Sequence, residues 1–178
     1  KDIKSTQTDN FVKRLENLGF IILGRTNTPE FGFKTVSDSL LHGPVRNAVN
    51  LERNAGGSSG GAAAVVASGI TPIAAASDGG GSIRIPASHN GLIGLKPSRG
   101  RVISGPGSYR GWNGATVHFA MTKTIQDTRN LLFHLQEYQM ESPFPLPKLS
   151  AKELYLPDKL KPLKVSVLLQ SPVGEEVP

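Results

Sequence analysis

Cysteine is absent from the 178 residues. That excludes a disulfide framework, a thiolate nucleophile and cysteine-based metal sites. It accords with a reducing compartment, so the expected location is cytoplasmic. Aromatic residues are scarce, at 6% with a single Trp. No apolar run nears the length of a bilayer span, and no basic-then-apolar segment opens the sequence as a signal peptide would. No membrane partner is expected.

Acidic residues are outnumbered, leaving a formal net charge of +6. The excess does not form a nucleic-acid footprint. Lys and Arg are scattered, the last cluster (Lys159, Lys161, Lys164) is broken by Pro162, and no aromatics are interleaved with them. A solvated basic surface accounts for the charge, and no nucleic-acid partner is expected.

What remains is ordinary for a globular chain: 38% hydrophobic and 19% charged, long enough to bury one core. Glycine (20) and proline (13) are the enriched residues, so many backbone positions carry special conformational demands.

The patterning alternates helices with short apolar strands. Residues 8–18 read as a helix, capped by Thr8 or Asp9, with Phe11, Val12, Leu15 and Leu18 as its apolar stripe and Gly19 as its stop. Phe20, Ile21, Ile22 and Leu23 read as a buried strand. Residues 25–55 are irregular. A small-residue, buried helix is expected over 61–68, a strand over 72–77, a short helix limited by Pro86 over 83–89, and a strand over 92–95. After a glycine-rich loop (100–114), Thr124 and Asp127 resemble a capping box opening a helix that runs to about Gln136. Pro143, Pro145 and Pro147 punctuate a polar connection, and 165–169 reads as a last strand. This alternation argues α/β. The first helix has no earlier strand to pack against and the last strand leads to no further element, so both ends are expected to be cuts through a larger domain.

Two segments place serine among glycines at the edge of a regular element: Gly56-Gly57-Ser58-Ser59-Gly60-Gly61 and Ser77-Asp78-Gly79-Gly80-Gly81-Ser82-Ile83-Arg84-Ile85-Pro86. Three readings compete. Glycine-serine linkers are rarely flanked by apolar strands and helices. A phosphate-cradling P-loop needs a Lys that neither segment supplies. The third reading is a nucleophile on a tight turn: the three glycines before Ser82 let the N–H groups of residues 79–82 converge beside a hydroxyl, which is what acyl transfer requires. On the residues alone, this reading stands against a generic glycine turn.

The run from Gly56 to Arg101 closely resembles the signature of the amidase-signature family. Gly24-Arg25-Thr26-Asn27-Thr28-Pro29-Glu30-Phe31 is similar to a second segment of that family, and Gly94-Leu95-Lys96-Pro97 continues the likeness. The resemblance covers most of residues 8–137, with a signature core at 24–101. It implies an α/β fold with a mixed β-sheet core covered by helices, of which 1–178 is a single incomplete domain.

It also implies a Ser–cis-Ser–Lys triad, with Ser82 as nucleophile and Ser58, after a cis Gly57–Ser58 peptide, as the bridging serine. Gly79, Gly80, Gly81 and the N–H of Ser82 would form the oxyanion hole. Asp78, Arg84 and Ser59 would be structural support, and Lys96 would serve structure. No metal or cofactor is implied. His42, His89, His118 and His134 are read as packing or surface residues. The triad lysine belongs to an apolar-Lys-Asp strand well before the first helix. Lys1-Asp2 mimics the dipeptide but lies too close to that helix, so the lysine is expected to be missing and the chain alone feebly active at most.

The partner expected is a small-molecule amide, with a complementary segment or a second copy of the chain completing the fold. Ile85 after Ser-Ile-Arg, where amidotransferase glutaminase subunits commonly carry glutamine, and the stretch 100–107 lean toward amidases resembling 6-aminohexanoate-cyclic-dimer hydrolase. The alternatives are a catalytically dead remnant or interaction module, and a glutaminase-type subunit of a tRNA-dependent amidotransferase.

Overall fold

The computed structural model describes residues 5–106 and 111–155, together with 162, 164, 166 and 174. Apart from Ser166, the expected strand at 165–169 lies outside the described residues, as do the Lys1-Asp2 dipeptide, Gly107, Lys159 and Lys161.

In chain order the elements are α1 (Asn10–Asn17), a 3-10 turn (Glu30–Gly32), β1 (Asp38–Ser39), β2 (Gly43–Pro44), α2 (Gly60–Ala67), β3 (Ile73–Asp78), α3 (Arg84–His89), β4 (Ile93–Gly94), a second 3-10 turn (Gly111–Gly114), β5 (Val117–Thr122), α4 (Ile125–Leu135) and α5 (Ala151–Leu154). The architecture is α/β, as the alternation of elements implied. β1 and β2 form a small antiparallel hairpin. β5 is the centre of a three-stranded sheet, antiparallel to β3 on one side and to β4 on the other.

The central position of β5 explains its burial: only His118 of its six residues is partly exposed. Side chains alternate across a sheet. His118 packs on Phe11 of α1 with ring centroids 5.7 Å apart, and the Thr122 hydroxyl bonds that of Thr128 on α4. Phe119 and Met121 fill the other face, and both are wholly buried. They join Ala62 and Ala63 of α2, Ile83, Ala87 of α3, and Leu131 and Leu135 of α4 in one apolar core. The small residues of α2 permit close packing: a Cβ on Gly61 would fall 2.6 Å from the backbone of Asn27. Likewise a Cβ on Gly94 would meet that of Ala87 at 2.5 Å, so β4 and α3 lie directly against each other.

α1 starts where Asp9 accepts the Phe11 N–H at 2.8 Å, and it ends before Gly19 at φ +86°. α4 opens on Thr124, whose hydroxyl oxygen accepts the Asp127 N–H at 3.0 Å. The box is not reciprocal, because the Asp127 carboxylate takes the Thr124 hydroxyl proton at 2.6 Å rather than reaching the backbone. A full capping box does form at Ser150 and Glu153, where it starts α5.

The strand expected over residues 20–23 is not formed. Among the described residues that segment pairs with no strand, and Ile21 (86%) and Leu23 (76%) are exposed. An apolar run becomes a strand only where a neighbouring strand takes its N–H and C=O groups, and among the described residues no strand does.

Candidate active site

Both serine-bearing segments end at the N-terminal side of a helix. Ser58 precedes α2 and Ser82 precedes α3, with β3 running between the two helices. The Gly57–Ser58 peptide is cis, as the resemblance implied. Ser58 is buried and Ser82 half-buried.

The first turn is held by the irregular stretch before it. The buried Ser37 hydroxyl donates to Ser58 O at 3.0 Å and accepts the Gly60 N–H at 3.0 Å. A Cβ on Gly57 would lie 2.7 Å from the backbone of Val36. From the other side, the buried Asn90 amide donates to Ala55 O and Pro86 O, both at 2.8 Å, tying α3 to the strand of chain that enters the turn. Ser59 Oγ donates to Ser77 O at 3.4 Å, linking the first turn to the end of β3.

The second turn is organised by Asp78. Its carboxylate accepts the N–H groups of Gly81 (2.9 Å), Ile83 (3.1 Å) and Arg84 (3.3 Å). It also accepts Arg84 Nε at 3.0 Å and Nη2 at 2.9 Å. Burial pushes the Asp78 carboxyl up, but Arg84 and the three backbone donors outweigh it and hold the group below its usual range. The same partnership raises Arg84. Asp78 and Arg84 therefore pair as expected.

The four N–H groups of the turn are not equivalent. The Gly81 N–H is committed to Asp78 Oδ1, whereas those of Gly79, Gly80 and Ser82 have no acceptor among the described residues. Only Gly81 of the three glycines has a left-handed φ, +123°. Gly79 is small for another reason: a Cβ there would fall 2.7 Å from the Trp112 ring. The register of the sheet causes this approach. Asp78 pairs with Val117, so the chain leaving β3 passes the chain entering β5.

The two turns share one region of the surface. A Cβ on Gly32 would sit 3.6 Å from Ser58 Oγ, the next residue Phe33 stacks on Trp112 with centroids 5.2 Å apart, and Trp112 covers Gly79. Sequence reasoning missed Phe33 and Trp112. A sole Trp inside a glycine-rich loop was the available signal.

The four histidines lie elsewhere in role: His42, His89 and His134 are exposed, and His118 packs on Phe11. Lys96 Nζ donates to Pro97 O at 2.9 Å. Among the described residues no lysine hydrogen-bonds to Ser58, no group of His, Asp and Glu could hold a metal ion, and no helix is long and apolar enough to cross a membrane.

Comparison with known proteins places this geometry in a family. The profile of the family described as Amidase matches residues 1–177, and the chain belongs to that family. It is 55% identical over 126 residues to a lipoamidase of Enterococcus faecalis, covering 71% of this chain and 17% of that protein. It is 38% identical over 168 residues to the 6-aminohexanoate-cyclic-dimer hydrolase of Paenarthrobacter ureafaciens, covering 93% of this chain and 34% of that protein. The crystal structure of a bacterial aryl acylamidase superposes with a TM-score of 0.76 at 37% identity, over 82% of this chain and 30% of that one. The chain thus spans about a third or less of the length of these relatives.

Proposed function

We propose that this chain carries the nucleophile and bridging serine of an amidase that hydrolyses the carbon–nitrogen bond of linear or cyclic amides. The observation that carries the reading is the Asp78-pinned turn. Among the described residues it leaves three N–H groups without an acceptor in the segment that ends at the half-buried Ser82, near a second turn bearing Ser58.

In this mechanism Ser82 Oγ bonds to the amide carbonyl carbon as its proton passes to Ser58, whose own proton passes to a neutral lysine. Oxyanion charge is taken up by the N–H groups of Gly79, Gly80 and Ser82, while Gly81 holds the turn through Asp78. Collapse of the tetrahedral species breaks the C–N bond, and the lysine proton returns through Ser58 to the departing amine. Water then attacks the acyl-serine, releasing the acid and restoring Ser82. Burial of Ser58 suits a relay, because a buried hydroxyl exchanges protons with chosen partners rather than with bulk water.

A fluorophosphonate serine probe tests the reading. The expected result is stoichiometric labelling mapped to Ser82, abolished in Ser82→Ala and slowed at least tenfold in Ser58→Ala, with melting curves confirming that both variants fold. Labelling mapped to another serine, or labelling indifferent to Ser58, would refute it. Amide hydrolysis by the chain alone at enzyme-like rates, absent in Ser82→Ala, would overturn only the expectation about lysine.

A further inference from the structure

Aromatic side chains are few in this chain, yet two of them are stacked at the serine turns and stay largely exposed. Phe33 and Trp112 lie 9° from parallel, and they remain 73% and 51% exposed. Stacking of two rings does not require that exposure, since an aromatic side chain gains most from full burial. Neither ring belongs to the apolar core.

The backbone beneath them is unusual as well. Phe31, Trp112 and Asn113 have left-handed conformations, with φ of +55°, +50° and +54°. Bulky residues seldom adopt that region, and such conformations persist where surrounding structure holds them, commonly at ligand sites. Here they turn two loops from distant parts of the sequence so that their rings meet. One loop places Gly32 against Ser58 and the other lays Trp112 over Gly79. The shelf so formed reaches from the Ser58 turn to Gly79, in the turn that leads into Ser82.

We propose that Phe33 and Trp112 are specificity-determining residues. They form a flat apolar shelf that favours amides carrying a planar aromatic ring next to the scissile bond over amides with a saturated ring of the same size. This rests on the reading of Ser82 as the nucleophile, because the shelf selects substrate only if the bond broken lies at that serine. A planar ring extends the Phe33–Trp112 stack, whereas a puckered one loses the offset face-to-face contact.

The test uses the chain's only tryptophan as its reporter: Trp112 emission is followed while acetanilide or its saturated analogue N-cyclohexylacetamide is titrated in. Acetanilide should perturb the emission saturably and bind about three- to tenfold more tightly than the saturated amide, the range expected for one aromatic stacking contact. Phe33→Leu, at an exposed position that leaves the fold intact, should bring the two affinities within about twofold of each other. Ser82→Ala should preserve the preference. Equal affinities, or emission that neither ligand perturbs, would remove the shelf from substrate selection. Fluorophosphonate labelling of the same samples separates the two ideas. A labelled Ser82 without ring preference sinks the shelf alone, whereas ring preference with the label on another serine sinks the nucleophile reading and leaves the shelf as a binding surface with no part in choosing the bond broken.

Discussion

Arg84 meets Asp78 side-on, Nε to Oδ2 at 3.0 Å and Nη2 to Oδ1 at 2.9 Å, with the carboxylate wholly buried and the arginine side chain 52% exposed. The pair is lopsided in consequence. Asp78 depends on its partners for solvation, while Arg84 retains water, so the two ends should respond differently to mutation.

Asp78→Asn should destabilise the fold by about 3 kcal/mol, because an amide presents donors toward N–H groups that need acceptors and removes the charge that Arg84 faces. Arg84→Ala should cost about 1–2 kcal/mol, since three backbone N–H groups still serve the carboxylate. Urea denaturation of both variants checks the order, and an Arg84→Ala loss equal to or larger than that of Asp78→Asn would contradict it.

Acid should unfold the protein partly through the same group. The folded-state value of Asp78 lies below the ordinary 3.8, so its stabilising contribution is complete above that ordinary value and is lost as pH falls through the lower, folded one. Glu30 and Glu153 are lowered in the same direction, mainly by backbone hydrogen bonds, and should leave a residual slope. Melting temperatures of the wild type should be level down to about pH 5 and fall below about pH 4, and Asp78→Asn should fall less steeply over that window.

The three glycines before Ser82 should separate on substitution by alanine. Gly80 has open space where a Cβ would go and no left-handed φ, so Gly80→Ala should stay within about 0.5 kcal/mol of the wild type. Gly81→Ala combines φ +123° with Ile85 at 2.7 Å, and Gly79→Ala drives into the Trp112 ring at 2.7 Å. Each should cost at least about 1–2 kcal/mol. Thermal melts of the three variants suffice, and equal losses would show that the turn is not built this way.

Phe119→Ala, in the central strand, should cost about 3–5 kcal/mol, whereas Ile21→Ala should lie within about 0.5 kcal/mol. The contrast follows from full burial of one side chain and 86% exposure of the other. A large loss at Ile21 would mean that the segment is packed after all.

These contrasts also mark what the sequence made legible. Local signals carried these helices: α1 has a capping oxygen, an apolar stripe and a stopping glycine, α2 a run of small apolar residues ended by Gly69, and α4 the Thr124 cap, each acting within a few residues. The serine turns were legible because their serines and glycines are contiguous in sequence, although the contacts that require most of those glycines come from Val36, Asn27 and Trp112, outside the turns. β5 was missed because His118 interrupts its apolar run and its place at the sheet centre is decided by β3 and β4, both remote in sequence. The opposite error at residues 20–23 has the same root: a run of apolar residues states a preference, but a pairing neighbour decides the outcome. Phe33 and Trp112 come together across a long sequence separation, and no local period records such a meeting.

The stretch before Ser58, which has little regular structure of its own, acts as a mould. Val36 leaves room for no side chain at residue 57, and the Ser37 hydroxyl threads between the carbonyl of residue 58 and the amide of residue 60. Lengthening that stretch by even one residue would displace the seat on which Ser58 rests. The shape of the Ser58 turn is thus inherited from a segment some twenty residues earlier in the chain, and insertions there should be far less tolerated than surface loops usually allow.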